Sequence, residues 1–170
     1  KHIISKIKLN LFAFPSYVVI SETITFIISF LIFLVYYLFF LDFEISSNQI
    51  FCLLILLFLQ QLVAFSLGLI FSIFNVFFRD TKEFAIIFLN FWFWLTPIVW
   101  VPAIAPQWLI QFQNSFNPAF WFISGYRQLF VYSKTFGVSD LYNLILFAFV
   151  MLLVSLTSLR FLERDIRDFM

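Results

Sequence analysis

The chain alternates long charge-free stretches with short charged or proline-broken ones. No charge falls in 23–41, 45–78, 84–101 or 141–159. About 20 apolar residues in a helix cross a hydrocarbon core of about 30 Å. These windows therefore predict an all-α integral membrane protein with four transmembrane helices, at about 20–41, 50–77, 84–101 and 141–160. Glu22 and Asp42 bound the first window, and Ser46, Ser47 and Asn48 offer cap residues ahead of the second. Asp80 and Glu83 stand three apart at the start of the third, the spacing of a capping box. Ser139 or Asp140 is expected to cap the fourth, and Arg160 to close it.

Two segments fall outside the windows. In 1–19, Ile4, Ile7 and Leu11 recur at helical spacing, with Lys1, Ser5 and Lys8 away from them. That pattern suits a short amphipathic helix on a membrane surface or a partner, ended by Pro15; it suits equally the basic flank of a span. The segment 102–138 is aromatic but broken by Pro102, Pro106 and Pro118, and it carries Gln107, Gln111, Gln113, Asn114 and Asn117. Irregular backbone at membrane depth must be covered by protein or water. We read two short helices there, roughly 107–114 and 118–132, that dip into the membrane and return to the same face.

Composition supports the membrane reading. Hydrophobic residues make up 64% of the chain and charged ones 11%, against roughly 45–50% and about 25% in soluble domains. Mean hydropathy is +1.04. Four spans place eight basic residues on one side (Lys1, Lys6, Lys8, Arg79, Lys82, Arg160, Arg164, Arg167) and two, Arg127 and Lys134, on the other. A further crossing at 107–126 would make the split seven to three, so the positive-inside rule favours four spans with both termini cytoplasmic.

Several side chains are candidates for more than filler. Ala64, Gly68 and Ser72 recur every four residues and predict a close-packing seam between spans or subunits. Gln60, Gln61, Asn75 and Asn90 are amides in or near spans, suited to interhelical hydrogen bonds or to a polar path. Trp100 and Trp108 read as interfacial anchors, whereas Trp92 and Trp94 lie deeper and, with Trp121 and Tyr126, are candidate conduit aromatics. There is no GxxxxGK phosphate loop, so ATP hydrolysis is not expected of this chain. His2 is the one histidine and Cys52 the one cysteine, so no metal site can be assembled from them, and no Ser/His/Asp set is possible beyond that terminal His. No basic face of the kind that binds nucleic acid is present.

The ordered series NVFFRD, FWLTPIVW, FNPAFWFISGYRQLF and LERDIRDF resembles the membrane subunit of ABC-2 type transporters, closest to the branch exporting O-antigen, capsule and teichoic acid polymers. Four pairs carry the resemblance: Arg79–Asp80, Pro97–Ile98, Asn117–Pro118 and Tyr126–Arg127. It implies a single permease domain over 1–170 that supplies the last four of six spans, so that the start at Lys1 rather than Met reads as a missing first third. Residues 1–19 then resemble a cytoplasmic coupling segment, 102–138 an external gate and 161–170 a cytoplasmic tail. Lys6, Lys8, Arg79, Asp80 and Glu83 would lie at the cytoplasmic entrance on the ATPase side, and Asn117, Pro118 and Arg127 at the external gate. The implied partners are an ATP-binding cassette subunit that carries ATP and Mg, a second copy of the chain, membrane lipid and a lipid-linked glycan, in the inner membrane of a bacterium. An ABC-2 permease for a drug, a peptide or a non-glycan lipid is the alternative. A non-transporting membrane protein, an assembly scaffold or a lipid-modifying enzyme, is the third reading; the enzyme version needs clustered acidic or His residues at a membrane face, for which only Asp80 with Glu83 or Asp42 with Glu44 could serve.

Overall fold

The computed structural model describes residues 13–40, 46–132, 134–135 and 137–169. Every regular element among them is helical: α1 (Ala13–Phe40), α2 (Ser47–Phe77), α3 (Thr81–Leu95), a single 3₁₀ turn (Pro102–Ile104), α4 (Gln107–Phe116), α5 (Pro118–Phe130) and α6 (Val138–Phe169). Three are long and apolar enough to cross a membrane, over Ser16–Phe40, Ser47–Phe77 and Leu141–Ile166. The amphipathic reading of residues 1–12, Lys6 and Lys8 included, lies outside the described residues. Pro15 stands in the first turn of α1, a position where a missing N–H has no intrahelical partner to lose.

The axis of the fold is α2. Its start is set by a capping box: the Ser46 hydroxyl accepts from the Gln49 N–H, and the Gln49 side chain accepts from the Ser46 N–H at 2.8 Å. Leu53, Leu56, Leu59, Val63, Ser66, Leu69 and Ile73 are buried at intervals of three and four, a single stripe on the helix. The stripe meets α6 in two clusters. Leu53 to Val63 pack with Leu144 and Ala148 of α6 and with Phe122 and Leu129 of α5. Further along, Leu69 and Ile73 pack with Leu159 and Ile166. Low numbers meet low and high meet high, so α2 and α6 run side by side in the same direction. The intervening chain must therefore return from the far end of α2 to the near end of α6.

Between the two clusters, Ser66 and Ser155 are fully buried, and each donates its hydroxyl to a carbonyl of its own helix, Leu62 and Leu152. A side chain that satisfies itself lets two backbones approach without asking anything of the neighbour. This is the close-packed seam of the fold. The predicted one, Ala64, Gly68 and Ser72, faces away from the rest of the chain: Ala64 and Ser72 are exposed, and a Cβ added at Gly68 would meet nothing within 4 Å. Ala64 and Ser66 are two positions apart, about 200° around a helix, and so lie on opposite faces.

Other boundaries also differ from expectation. The third helix stops at Leu95 instead of 101, because Pro97 has no N–H and pushes Thr96 into extended backbone (φ −79°, ψ 135°). Its 15 residues reach about 22 Å, short of the hydrocarbon core. The last helix begins at Val138, which puts Ser139 and Asp140 inside its first turn rather than at the cap. It runs past Arg160 to Phe169, because Leu162 and Ile166 still pack against the end of α2. The expected tail is thus a continuation of the helix. At 31 and 32 residues, α2 and α6 measure about 46 and 48 Å, longer than a bilayer core requires.

Large apolar side chains stand exposed along α1 and α3, among them Leu31, Ile32, Phe84, Ile87 and Phe91. In water such surface costs about 25 cal/mol per Å², so these faces require lipid or protein as their solvent. Replacing Leu56, which is 0% exposed, by alanine is expected to cost about 2–5 kcal/mol in detergent-solubilised unfolding of the full-length protein, while Leu54→Ala on the 58% exposed face costs under about 1 kcal/mol. Equal losses at the two positions would contradict the assigned core.

Candidate functional site

The break at Pro97 creates the site. A helix ends with four carbonyls that have no N–H from a following turn. On α3 three of these find other donors. Trp92 C=O accepts from the Thr96 N–H at 3.0 Å and the Thr96 hydroxyl at 2.8 Å. Trp94 C=O accepts from the Trp100 indole at 3.1 Å, and Leu95 C=O from Gln113 Nε2 at 2.8 Å. Gln113 belongs to α4, so the end of α3 is completed by the segment that follows it.

At the centre is Asn117, 2% exposed in the one-residue link between α4 and α5. Pro118 holds it extended. Its Oδ1 accepts from the Trp92 indole at 2.8 Å and from the Ala119 N–H at 3.1 Å, the second bond being the N-cap of α5. Its Nδ2 donates to Thr96 Oγ1 at 2.9 Å and to Gln113 Oε1. All four hydrogen-bonding positions of the amide are used, which fixes its orientation. Thr96 and Gln113 are equally hidden, at 0% and 1% exposed. Ten residues on, the Arg127 guanidinium donates to Pro97 C=O, a carbonyl just beyond the break. Next to it, the Tyr126 hydroxyl donates to Gln60 Oε1 on α2. The end of α5 is held by α1: the Tyr37 hydroxyl donates to Phe130 C=O at 2.6 Å, and Phe30, Phe33 and Tyr37 meet the Phe130 ring edge-on at 5.2–6.0 Å.

The structure thus joins three of the four sequence pairs, Pro97–Ile98, Asn117–Pro118 and Tyr126–Arg127, in one polar knot. The fourth, Arg79–Asp80, is remote. Gln60 and Phe77, the last residue of α2, are about 26 Å apart along the helix axis. At that far end Arg79, Asp80, Lys82 and Glu83 are all exposed. Asp80 occupies the N-cap position of α3, but its side chain makes no cap hydrogen bond, so the expected capping box is not formed. The buried Thr81 hydroxyl turns back to Phe78 C=O at 2.8 Å instead. An apolar groove opens beside this turn. It has a volume of about 560 Å³, and its lining combines Phe71, Phe74, Phe77, Phe78 and Phe84 with Arg79 and Asp80.

The candidate aromatics separate. Trp92 is half-buried with its N–H committed to Asn117, whereas Trp94 is 65% exposed. Positions two apart on one helix point in opposite directions, so the pair cannot line one conduit together. Trp121 donates to Asn114 C=O at 2.7 Å, which ties α5 to α4. Of the span amides, Gln60 bonds across to Tyr126, and Gln61 lies 2.8 Å from the Thr23 hydroxyl of α1, while Asn75 and Asn90 are exposed. Thr96 and Gln113 were not singled out by sequence reasoning. A Thr immediately before a mid-window Pro is the one signal that marks a helix end needing outside donors.

A double-mutant cycle tests the knot. Asn117→Ala and Trp92→Phe are each expected to destabilise the protein, Asn117→Ala by more, because it leaves several buried groups unpaired at about 1–3 kcal/mol each. Together they should lose about 1 kcal/mol less than the sum. Strict additivity would mean that the bond is not made.

A family model described as ABC-2 type transporter matches residues 5–131, most of the chain. No curated protein matches it.

Proposed function

Because the chain belongs to the ABC-2 type transporter family, we propose that it is the membrane subunit of an ATP-driven exporter whose substrate is a lipid-linked polysaccharide or polyol phosphate polymer. The observation that supports a lipid-linked substrate is the groove at the end of α2. Its phenylalanine walls suit an acyl or isoprenoid chain, and Arg79 in its lining suits an anionic lipid headgroup. A free hydrophilic polymer would have no use for such walls.

The direction of the helices supports four crossings. α2 and α6 run the same way, so the chain between them must cross back once. α3, with the non-helical stretch after Leu95, supplies that return. On this reading the Arg79 turn and the end of α6 share one side, and the Asn117 knot faces the other. The positive-inside rule makes the first side cytoplasmic, in the inner membrane of a bacterium. There the overlong α2 and α6 carry Arg79, Arg160, Glu163 and Arg164 beyond the bilayer, where a separate ATP-binding subunit would dock. A second copy of the chain would complete the channel.

An apolar groove also suits a non-glycan lipid or an amphipathic drug, which is the second reading. In the full-length transporter reconstituted with its ATPase, a lipid-linked glycan is expected to stimulate hydrolysis. Arg79→Gln should raise its KM about 2–5-fold at unchanged kcat, the size of one exposed charge pair. Stimulation by phospholipid or drug but not by glycan lipid would install the second reading. For topology, a cysteine at Asn114 is expected to react with an impermeant maleimide from outside, and one at Lys82 only from inside, in a Cys52→Ser background. The same accessibility at both positions would overturn the four-crossing arrangement.

A further inference from the structure

A second cavity lies at the opposite end of the molecule, among α4, α5 and the start of α6. Its volume is about 220 Å³. Asn114 comes from α4, Trp121, Ser124, Gly125 and Gln128 from α5, and Asn143 from α6. No charged side chain lines it. Its chemistry is that of neutral amides and a hydroxyl, which donate and accept hydrogen bonds alike, beside two aromatic rings, Phe120 and Trp121. The Trp121 N–H is already spent on the Asn114 carbonyl, and the ring is braced by Phe147 with centroids 6.0 Å apart. What Trp121 offers a ligand is therefore apolar ring surface held in a fixed pose. Gly125 contributes no side chain to the lining.

We infer that this cavity is a binding subsite for one uncharged sugar ring. Three features select that class. Mixed donors and acceptors match vicinal hydroxyls, each of which both gives and takes a hydrogen bond. An aromatic surface matches the apolar C–H face of a pyranose. Without a cation in the lining, phosphate or carboxylate would be bound without compensation for its lost hydration. The volume lies below the roughly 300–1,000 Å³ of sites for drug-sized ligands, which limits the occupant to about one ring. The inference deepens the export reading and rests on it for its physiological meaning: the subsite would hold a residue of the polymer on the side away from the Arg79 groove.

The experiment is saturation-transfer NMR on the full-length protein in nanodiscs, with methyl β-glucoside, methyl β-galactoside and N-acetylglucosamine as probes and glycerol 3-phosphate as the charged comparison. At least one neutral sugar is expected to show saturable binding in the millimolar range. That binding should weaken tenfold or more in Asn143→Leu, a change at an exposed helix position, and in Gly125→Leu, which adds a side chain to the lining; it should persist in Trp94→Ala. Unchanged thermal unfolding of Asn143→Leu keeps the test interpretable if Gly125→Leu fails to fold. Three results would each overturn the inference: no saturable binding of any neutral sugar, tighter binding of glycerol 3-phosphate, or binding indifferent to Asn143→Leu. Glycan export measured on the same variants separates the two proposals. Export without sugar binding removes the subsite and leaves the exporter, whereas binding without glycan export keeps the subsite and removes the exporter.

Discussion

The arrangement depends on one requirement: carbonyls at a helix end placed in a low-dielectric medium must find donors. Pro97 ends α3 some seven ångströms short of a bilayer core, by the length of its 15 residues. In water the freed carbonyls would be hydrated at little cost. At membrane depth each would cost several kcal/mol unpaired. Thr96, Trp100 and Gln113 supply the donors, and Arg127 takes the carbonyl of Pro97 itself. The helical pair α4–α5 is therefore more than a loop that happens to follow α3: its side chains complete the backbone of the preceding helix.

That dependence explains why the knot is built from amides. An asparagine side chain carries two donors and two acceptors, so Asn117 can hold α3, α4 and α5 at a single point while capping α5. Among the described residues no buried side-chain nitrogen or oxygen is left without a partner. A hub of this kind makes the three helix ends interdependent, since moving any one of them strands a polar group of another. The α2–α6 seam is the opposite case. There Ser66 and Ser155 satisfy themselves, and the contact is made by apolar surface that tolerates small shifts without orphaning anything. The bundle thus combines a polar, all-or-none joint at one end with an apolar slab running its full length.

The long helices were legible because membrane thickness imposes a minimum run of uncharged residues, and 50–77 shows one plainly. The paired short helices were legible because three prolines cannot sit inside one span. Local chemistry was harder to read. Asp80 and Glu83 have the spacing of a capping box, but spacing says nothing about competition, and Thr81 takes the local carbonyl while Asp80 stays in solvent. Ala64, Gly68 and Ser72 have the spacing of a packing seam between spans or subunits; within the chain the seam is at Ser66 instead, because the Leu53–Ile73 stripe decides which face of α2 is buried, and the Ala64 stripe faces outward. Thr96 and Gln113 carry no pattern of their own. Their roles exist only once the chain has returned on itself, which single-sequence periodicity does not record. Asn117–Pro118, by contrast, is an N-cap followed by a proline at the first helical position, and that signal is local.

The two ends of α2 also differ in a way that bears on directional transport. One presents aromatic walls with an arginine among them, and the other an uncharged cavity of amides and a braced indole. An amphiphile with a lipid tail, an anionic linkage and a neutral polyhydroxyl chain has parts suited to both. A purely apolar cargo would gain nothing at the amide end, since partnering its amides is what would make entering that cavity favourable. On the exporter reading, then, discrimination between a glycan lipid and an ordinary lipid falls to the far end. The groove near Arg79 would admit either, while only the former would offer hydroxyls to Asn114 and Asn143. The polar knot lies beside that cavity, sharing α4 and α5 with it, so the helix pair that completes α3 is the same pair that would meet the sugar.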